Sequence, residues 1–143
     1  MNNVIIEQLD PIKLPLVKRF YKQHYPSGRA NRSELILTLS INNALHGVVR
    51  FKTIDRFRLL TGMVISTSNR GQGLGHSLME FCRINTLASS DYCFSFRHLE
   101  SFYASHGFKT IEPDNLPSEL KNLYDRYGKS GKDLIPMHFH LNC

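Results

Sequence analysis

Residues 69–77, NRGQGLGHS, place three glycines at alternate positions after an arginine and directly before a helical pattern of apolar residues. The first N–H groups of a helix have no partner within the helix, and together with the helix dipole they favour an anion. Gly71, Gly73 and Gly75 let a phosphate approach the backbone, and Arg70 adds a charge that suits phosphate oxygens. The stretch therefore predicts a diphosphate site.

Two common nucleotide-binding loops fit this stretch poorly. A P-loop requires a lysine after its last glycine, where this sequence has His76 and Ser77. A dinucleotide fingerprint requires glycine or alanine at the position of His76 and an acidic residue at the end of the next strand, whereas Asp91 precedes that strand. The hypothesis that this chain is a nucleotide-binding module is therefore weak.

Hydrophobic periodicity and turn residues predict the element order β-α-βββ-α-β-α-β-α-β. Short spacers containing Asn or Asp separate the second, third and fourth strands, which indicates an antiparallel meander. Gly107 is expected to end the third helix as its C′ residue. The predicted strands are 4–9, 33–40, 44–54, 58–66, 91–96, 108–112 and 134–141, and the predicted helices are 10–24, 74–88, 98–106 and 115–128.

Length and composition indicate one globular domain over residues 1–143, with 41% hydrophobic and 21% charged residues. The net charge of +6 is spread along the chain, which argues against a nucleic-acid-binding tail. The cysteines Cys82, Cys93 and Cys143 are odd in number and lack CxxC spacing, as expected in a reducing cytoplasm. We expect a cytoplasmic protein without a signal peptide, a membrane span or a membrane partner.

Residues 70–75, RGQGLG, match the pattern [RQ]xxGx[GA], and here the chain resembles the GNAT superfamily of acetyl-CoA-dependent N-acetyltransferases. Two flanking segments are also similar to that family: GMVIS (62–66) to its apolar strand, and FYASHGF (102–108) to its YxxxGF segment. The resemblance implies an α+β, GNAT-like fold with a mixed, mostly antiparallel central sheet of about six to seven strands flanked by helices. The sequence departs from the family at two positions. Thr67 stands where the family often has proline, and Phe96 stands near the place where many members have an asparagine after the fifth strand.

The resemblance implies that acetyl-CoA is bound by the end of the fourth strand, the glycine loop, the start of the second helix and Tyr103. Main-chain groups of Met63 and Ile65 would bind the pantetheine arm in the manner of an added strand. The implied cofactor-binding residues are Met63, Val64, Ile65, Arg70, Gly71, Gln72, Gly73, Leu74, Gly75, His76, Ser77 and Tyr103.

Tyr103 corresponds to the tyrosine of the family that protonates the CoA thiolate, and a phenol with a pKa of about 10 can donate this proton at neutral pH. The alternative is an aromatic residue packed beside Phe102 on the helix face. The sequence identifies no general base, since the strand from Arg58 has no carboxylate. Weak candidates for the base are Glu34, His98 and Ser95.

His138 and His140 share a face of the last strand, but two histidines without a third ligand argue against a metal site. On the other face, Met137, Phe139 and Leu141 are expected in the core. Four arginines are expected to be solvated, with an acceptor site as the alternative role: Arg29, Arg32, Arg50 and Arg97.

The leading hypothesis is an N-acetyltransferase that transfers an acetyl group from acetyl-CoA to a primary amine of a small molecule or peptide. The transfer would be direct, in a ternary complex and without a metal, by a monomer or homodimer. The alternative is a non-catalytic acyl-CoA-binding sensor or regulatory module.

Overall fold

The computed structural model describes residues 3–140. Its helices and strands follow the predicted order. The strands are β1 (Val4–Gln8), β2 (Leu35–Ile41), β3 (Ala44–Ile54), β4 (Phe57–Ile65), β5 (Asp91–Phe96), β6 (Phe108–Thr110) and β7 (Leu134–Phe139). The helices are α1 (Leu14–His24), α2 (Leu74–Asn85), α3 (Glu100–Ala104) and α4 (Ser118–Lys129), with single 3₁₀ turns at Pro11–Lys13, Thr67–Asn69, Arg97–Leu99 and Pro113–Asn115.

The strands of the described chain form a mixed sheet in the order β1-β2-β3-β4-β5-β7-β6. The pairs β1–β2, β2–β3, β5–β7 and β6–β7 are antiparallel, and β4–β5 is parallel. Asn42 and Asn43 join β2 to β3 with φ angles of 51° and 70°, as a two-residue hairpin turn requires. The predicted mixed, mostly antiparallel sheet is confirmed.

The chain divides into two compact units, which we describe separately. The N-terminal unit comprises the residues up to Lys52 together with Thr61–Cys82, and the C-terminal unit comprises Thr53–Leu60 together with the residues from Arg83 onward. The single domain expected over residues 1–143 stays a prediction.

In the N-terminal unit, α1 packs its apolar face against β2, β3 and β4. The buried residues of this core are Val17, Phe20, Tyr21, Ile36, Val48 and Val64. In the C-terminal unit, α4 packs on residues of β4 and β5. The buried residues of that core are Leu59, Tyr92, Leu116, Leu120 and Leu123. Each core is formed by the periodic apolar positions of its helix and strands.

The predicted bounds of all four helices differ from those in the structure. The first helix begins at Leu14 rather than at residue 10, after the 3₁₀ turn of Pro11–Lys13. The second helix ends at Asn85 rather than at residue 88, because Asp91 accepts the Ala88 N–H and holds a turn before β5. The third helix is limited to five residues, Glu100–Ala104, because tight turns that end at Gly107 (φ 97°) follow it. The fourth begins at Ser118 because Leu116, which precedes a proline, is extended.

Met137 and Phe139 are buried as predicted, whereas Leu141 and Cys143 lie outside the described residues. Cys82 and Cys93 are both buried. No helix within residues 3–140 is long and apolar enough to cross a membrane.

Candidate cofactor site and catalytic residues

The glycine loop adopts a backbone that only glycine adopts readily. Gly71 and Gly73 have φ angles of 81° and 79°, and a Cβ added at either would meet nothing within 4 Å. Ser77 N–H donates to the Gly73 carbonyl at 3.0 Å, so the first hydrogen bond of α2 begins in the loop. The loop before the first turn of α2 therefore has open space at Gly71 and Gly73, as close approach of an anion to a helix N-terminus requires.

Arg70 connects the loop to the rest of the N-terminal unit. Its Nε donates to the Ile65 carbonyl at 3.0 Å, and its Nη2 donates to the His24 carbonyl at 3.4 Å. The side chain is exposed. Arg70 therefore joins the end of β4 to the end of α1 while its guanidinium stays accessible to solvent.

Ser66 anchors the segment between β4 and the loop. Its buried hydroxyl donates to Asn69 Oδ1 at 2.9 Å and lies 2.9 Å from His46 Nδ1, which must then be the donor in that contact. Its own N–H donates to the His46 carbonyl at 2.8 Å. Thr67 N–H donates to His24 Nδ1 at 3.2 Å, so the residue that replaces the family's frequent proline supplies a donor that proline lacks.

Gly62 interrupts the regular backbone of β4 just before the residues expected to bind the cofactor. Its φ is 63°, and a Cβ there would lie 2.6 Å from Tyr21 Oη and 2.7 Å from Arg50 Nε. The Tyr21 hydroxyl donates to the Gly62 carbonyl at 2.6 Å and accepts from Arg50 Nε at 3.1 Å. The conformation of β4 at this point is therefore coupled to two side chains from α1 and β3.

Arg50 is buried, so the expectation that it is solvated is wrong. Its Nη1 donates to both oxygens of Glu34, at 2.8 Å and 2.7 Å, and to the Arg29 carbonyl at 2.5 Å. The side chains of Arg50 and Glu34 are 8% and 3% exposed. Asn31 N–H also donates to Glu34 at 2.6 Å, so this carboxylate binds both Arg50 and the backbone at Asn31. Arg29, Arg32 and Arg97 are exposed, as predicted.

Burial raises the pKa of Tyr21 to about 12, although the neighbouring Arg50 lowers it in part. With an unfolded pKa of about 10, the phenol stabilises the fold below pH 10 and loses this contribution as the pH rises from 10 to 12. We expect the free energy of unfolding to fall over that interval by about 2–3 kcal/mol more in the wild type than in Tyr21→Phe. Urea denaturation at pH 9, 10, 11 and 12 measures this difference. Parallel pH profiles for the two proteins would contradict it.

Tyr103 lies in α3 of the C-terminal unit and is 7% exposed. Its ring packs edge to face against Phe102, with centroids 5.2 Å apart, and against Phe108 at 5.9 Å. The aromatic contact with Phe102 expected under the alternative interpretation is therefore present. Because a ring packed in this way has a fixed direction, the contact is also compatible with an oriented phenolic donor.

The other two base candidates in this unit differ in exposure. Ser95 is buried, and its hydroxyl donates to the Phe96 carbonyl at 2.7 Å. His98 is exposed and stacks on the ring of Phe96, with centroids 6.0 Å apart. Of these two side chains, only that of His98 is open to solvent.

Asp91 and Arg58 form an ion pair, with the carboxylate buried, that the sequence pattern did not reveal. The fully buried Asp91 accepts from Arg58 Nε and Nη2, both at 2.7 Å, and Arg58 Nη2 also donates to the Thr86 carbonyl at 2.9 Å. The two residues face each other in the parallel β4–β5 ladder, whose pairs run from Arg58↔Asp91 to Leu60↔Cys93. The ion pair therefore holds the beginning of that ladder.

His138 and His140 lie together on β7, with ring centroids 4.5 Å apart. His138 stacks on Tyr92 at 4.2 Å and contacts the Ser89 carbonyl through Nε2. Partial burial lowers the pKa of His140, and the neighbouring His138 and Lys109 lower it further. Within residues 3–140, no group of three or more His, Cys, Asp or Glu side chains is arranged to hold a metal ion.

The family model described as Acetyltransferase (GNAT) domain matches residues 8–120. The chain belongs to the GNAT acetyltransferase family. It is thus an acetyltransferase domain by family, and the segment matched by the model includes β4, the glycine loop and Tyr103. No curated protein sequence matches the chain significantly.

Solved structures of GNAT enzymes share this fold at low sequence identity. N-acetylglutamate synthase from Neisseria gonorrhoeae, complexed with coenzyme A and N-acetyl-glutamate, is 19% identical with a TM-score of 0.67, over 97% of this chain and 36% of that one. This chain therefore spans about a third of the synthase. Rv2747 from Mycobacterium tuberculosis, in complex with CoA and NLQ, is 16% identical with a TM-score of 0.68, over 96% and 99% of the two chains. The ribosomal-protein-S18-alanine N-acetyltransferase from Escherichia coli is 15% identical with a TM-score of 0.64, over 100% and 97%.

The residues that the GNAT resemblance assigns fall into two sets. The N-terminal unit brings together the end of β4, the loop and the first turn of α2, which include every expected cofactor-binding residue other than Tyr103. Tyr103, Ser95 and His98 belong to the C-terminal unit. The residues that sequence reasoning missed are the partners of β4 and of the loop, above all Tyr21, His24 and His46.

Proposed function

We propose that the chain transfers an acetyl group from acetyl-CoA to a primary amine of a small molecule or peptide, directly and in a ternary complex. The glycine loop is the observation that supports this most strongly. Gly71 and Gly73 have left-handed backbones with open space where side chains would be, directly before α2. Such a loop suits the diphosphate of CoA because it offers N–H donors without steric hindrance.

The proposal gives each part of the chain a defined task. Residues 70–77 would bind the diphosphate, and main-chain groups of Met63, Val64 and Ile65 would bind the pantetheine arm. These three residues follow Leu60, at which the β4–β5 ladder ends, so they lie beyond its backbone pairing. The accessible guanidinium of Arg70 would add a charged contact to the phosphates.

In the proposed reaction the neutral amine nitrogen attacks the thioester carbon, the C–S bond breaks, and the departing thiolate takes a proton. Tyr103 is proposed as the acid that supplies this proton, and its phenol then recovers a proton from solvent. The nitrogen releases its extra proton to solvent as the amide forms. A base or water acts earlier, by taking the proton of the protonated substrate amine before the attack. For that role we retain His98, whose side chain is exposed, ahead of the engaged Glu34 and Ser95.

A thiol-release assay with acetyl-CoA and a panel of amines tests the reaction. Peptides, polyamines, amino acids and aminoglycosides serve as acceptors, and we expect release that depends on an amine. Acetyl-CoA at 100 times its Kd should also raise the free energy of unfolding by about 2.7 kcal/mol. Binding without release for any amine would favour the sensor, and stabilisation by nucleotides alone would exclude the proposal.

We expect Tyr103→Phe to lower kcat by about 10²-fold at saturating acetyl-CoA, because general acid catalysis contributes rate enhancements of this size. Tyr124→Phe is the matched control. Tyr124 lies on another helix, α4, and the variant removes a hydroxyl that donates to the Leu134 carbonyl at 2.8 Å. Single-turnover kinetics ensure that the chemical step is measured. An unchanged rate in Tyr103→Phe would exclude the tyrosine as the acid.

A further inference from the structure

We infer that Tyr21, Arg50 and Glu34 are positioning residues that set the backbone of β4 at Gly62 and thereby orient the main chain of Met63–Ile65 for the pantetheine arm. The inference rests on the proposed function, because it concerns how the acetyl-CoA site is assembled. All of these residues belong to the N-terminal unit. None of the three side chains is assigned a contact with the cofactor.

Gly62 has a left-handed backbone within a strand. Its φ of 63° turns the strand out of the extended conformation in the middle of β4. The Gly62 carbonyl accepts from the Tyr21 hydroxyl at 2.6 Å, a donor that comes from α1 and not from the sheet. A hydrogen bond from α1 therefore determines the direction of the peptide that leads into Met63.

Tyr21 is itself held in place by Arg50. Arg50 Nε donates to the phenolic oxygen at 3.1 Å, and the guanidinium lies over the tyrosine ring at 5.2 Å from its centroid. Arg50 accordingly leaves the single phenolic hydrogen to the Gly62 carbonyl. Because burial raises the pKa of Tyr21, this hydrogen is retained throughout the neutral range.

Burial of the Arg50 charge in the core is unfavourable unless that charge is paired. A buried guanidinium is tolerated only when it is paired, and Glu34 supplies the charge while the Arg29 carbonyl supplies a further acceptor. A Cβ on residue 62 would collide with both Tyr21 and Arg50. Four residues from separate segments are therefore mutually dependent at the point where the expected pantetheine-binding strand begins.

The test compares Tyr21→Phe with the wild type, using Tyr124→Phe as the matched control. Loss of one hydrogen bond that orients the site should raise the Kd for CoA about 5-fold. Adenosine 3′,5′-bisphosphate, which lacks the pantetheine arm, should bind both proteins equally. In steady-state assays the KM for acetyl-CoA should rise while the KM for the amine is unchanged, and the ¹⁵N shift of Met63 should move in the variant.

The outcomes separate the inference from the proposed function. Failure of the wild type to bind CoA contradicts the proposed function itself. Binding of CoA by the wild type with an unchanged Kd in Tyr21→Phe overturns the inference, even if the variant melts at a lower temperature. Equal weakening of CoA and of the bisphosphate also overturns it, because the effect is then not confined to the arm. Glu34→Gln, which removes the charge that holds Arg50, should weaken CoA binding in the same selective manner.

Discussion

Replacement of Asp91 by alanine should lower the free energy of unfolding by about 3–5 kcal/mol, because it leaves a partly buried guanidinium without its counter-charge. Asp91 is fully buried, and its oxygens accept from Arg58 Nε, Arg58 Nη2 and the Ala88 N–H at 2.7, 2.7 and 2.8 Å. The Arg58 side chain is 26% exposed and can turn partly toward water, so we expect a value near the lower end of this range.

Asp133→Ala provides the matched control for this prediction. Asp133 also accepts two hydrogen bonds from one arginine, Arg97, at 3.0 and 2.8 Å, but its side chain is 72% exposed and that of Arg97 is 66% exposed. Exposed pairs contribute little because water solvates the separated charges well. Urea unfolding should show a large shift of the midpoint for Asp91→Ala and almost none for Asp133→Ala. Similar shifts would mean that burial does not govern the strength of these pairs.

Element order was predictable because its signals are local. The Asn42-Asn43 turn, the β-rich runs of β2 and β3, and Gly107 after α3 each specify a backbone choice within a few residues. The errors occurred at turns next to the helix ends, which helical periodicity does not indicate. The second helix ends at Asn85, three residues before the predicted end, because the Ala88 N–H donates to the Asp91 side chain. Helical periodicity does not indicate such a hydrogen bond.

The candidate site was predictable only in its local part. The glycine loop can be recognised because its chemistry lies in consecutive residues, although the spacing of the glycines did not indicate that Gly71 and Gly73 have left-handed backbones. The network around Gly62 could not be recognised, because Tyr21 and Arg50 are 29 residues apart and match no motif. Arg50 was wrongly expected to be solvated, since a single sequence does not reveal a buried partner such as Glu34.

Gly73→Ala should reduce the affinity for CoA by about 10- to 100-fold with only a modest loss of stability. At φ 79° an alanine is strained by about 1–2 kcal/mol, and the chain relieves this strain by leaving the left-handed region. No protein atom lies within 4 Å of the added Cβ, so the rest of the fold has no reason to change. The altered loop would no longer aim its N–H groups at the diphosphate. Isothermal titration with CoA measures the loss.

Gly131→Ala separates the loss of stability from the loss of affinity for CoA. Gly131 has φ 95° and likewise has nothing within 4 Å of an added Cβ, but it follows α4 in the C-terminal unit. The two variants should lose comparable stability in urea, since the backbone strain is of the same kind. Only Gly73→Ala should lose affinity for CoA. A comparable loss in both variants would show that weaker binding follows from general destabilisation. Unchanged binding in Gly73→Ala would show that the conformation of this loop does not determine how the diphosphate is held.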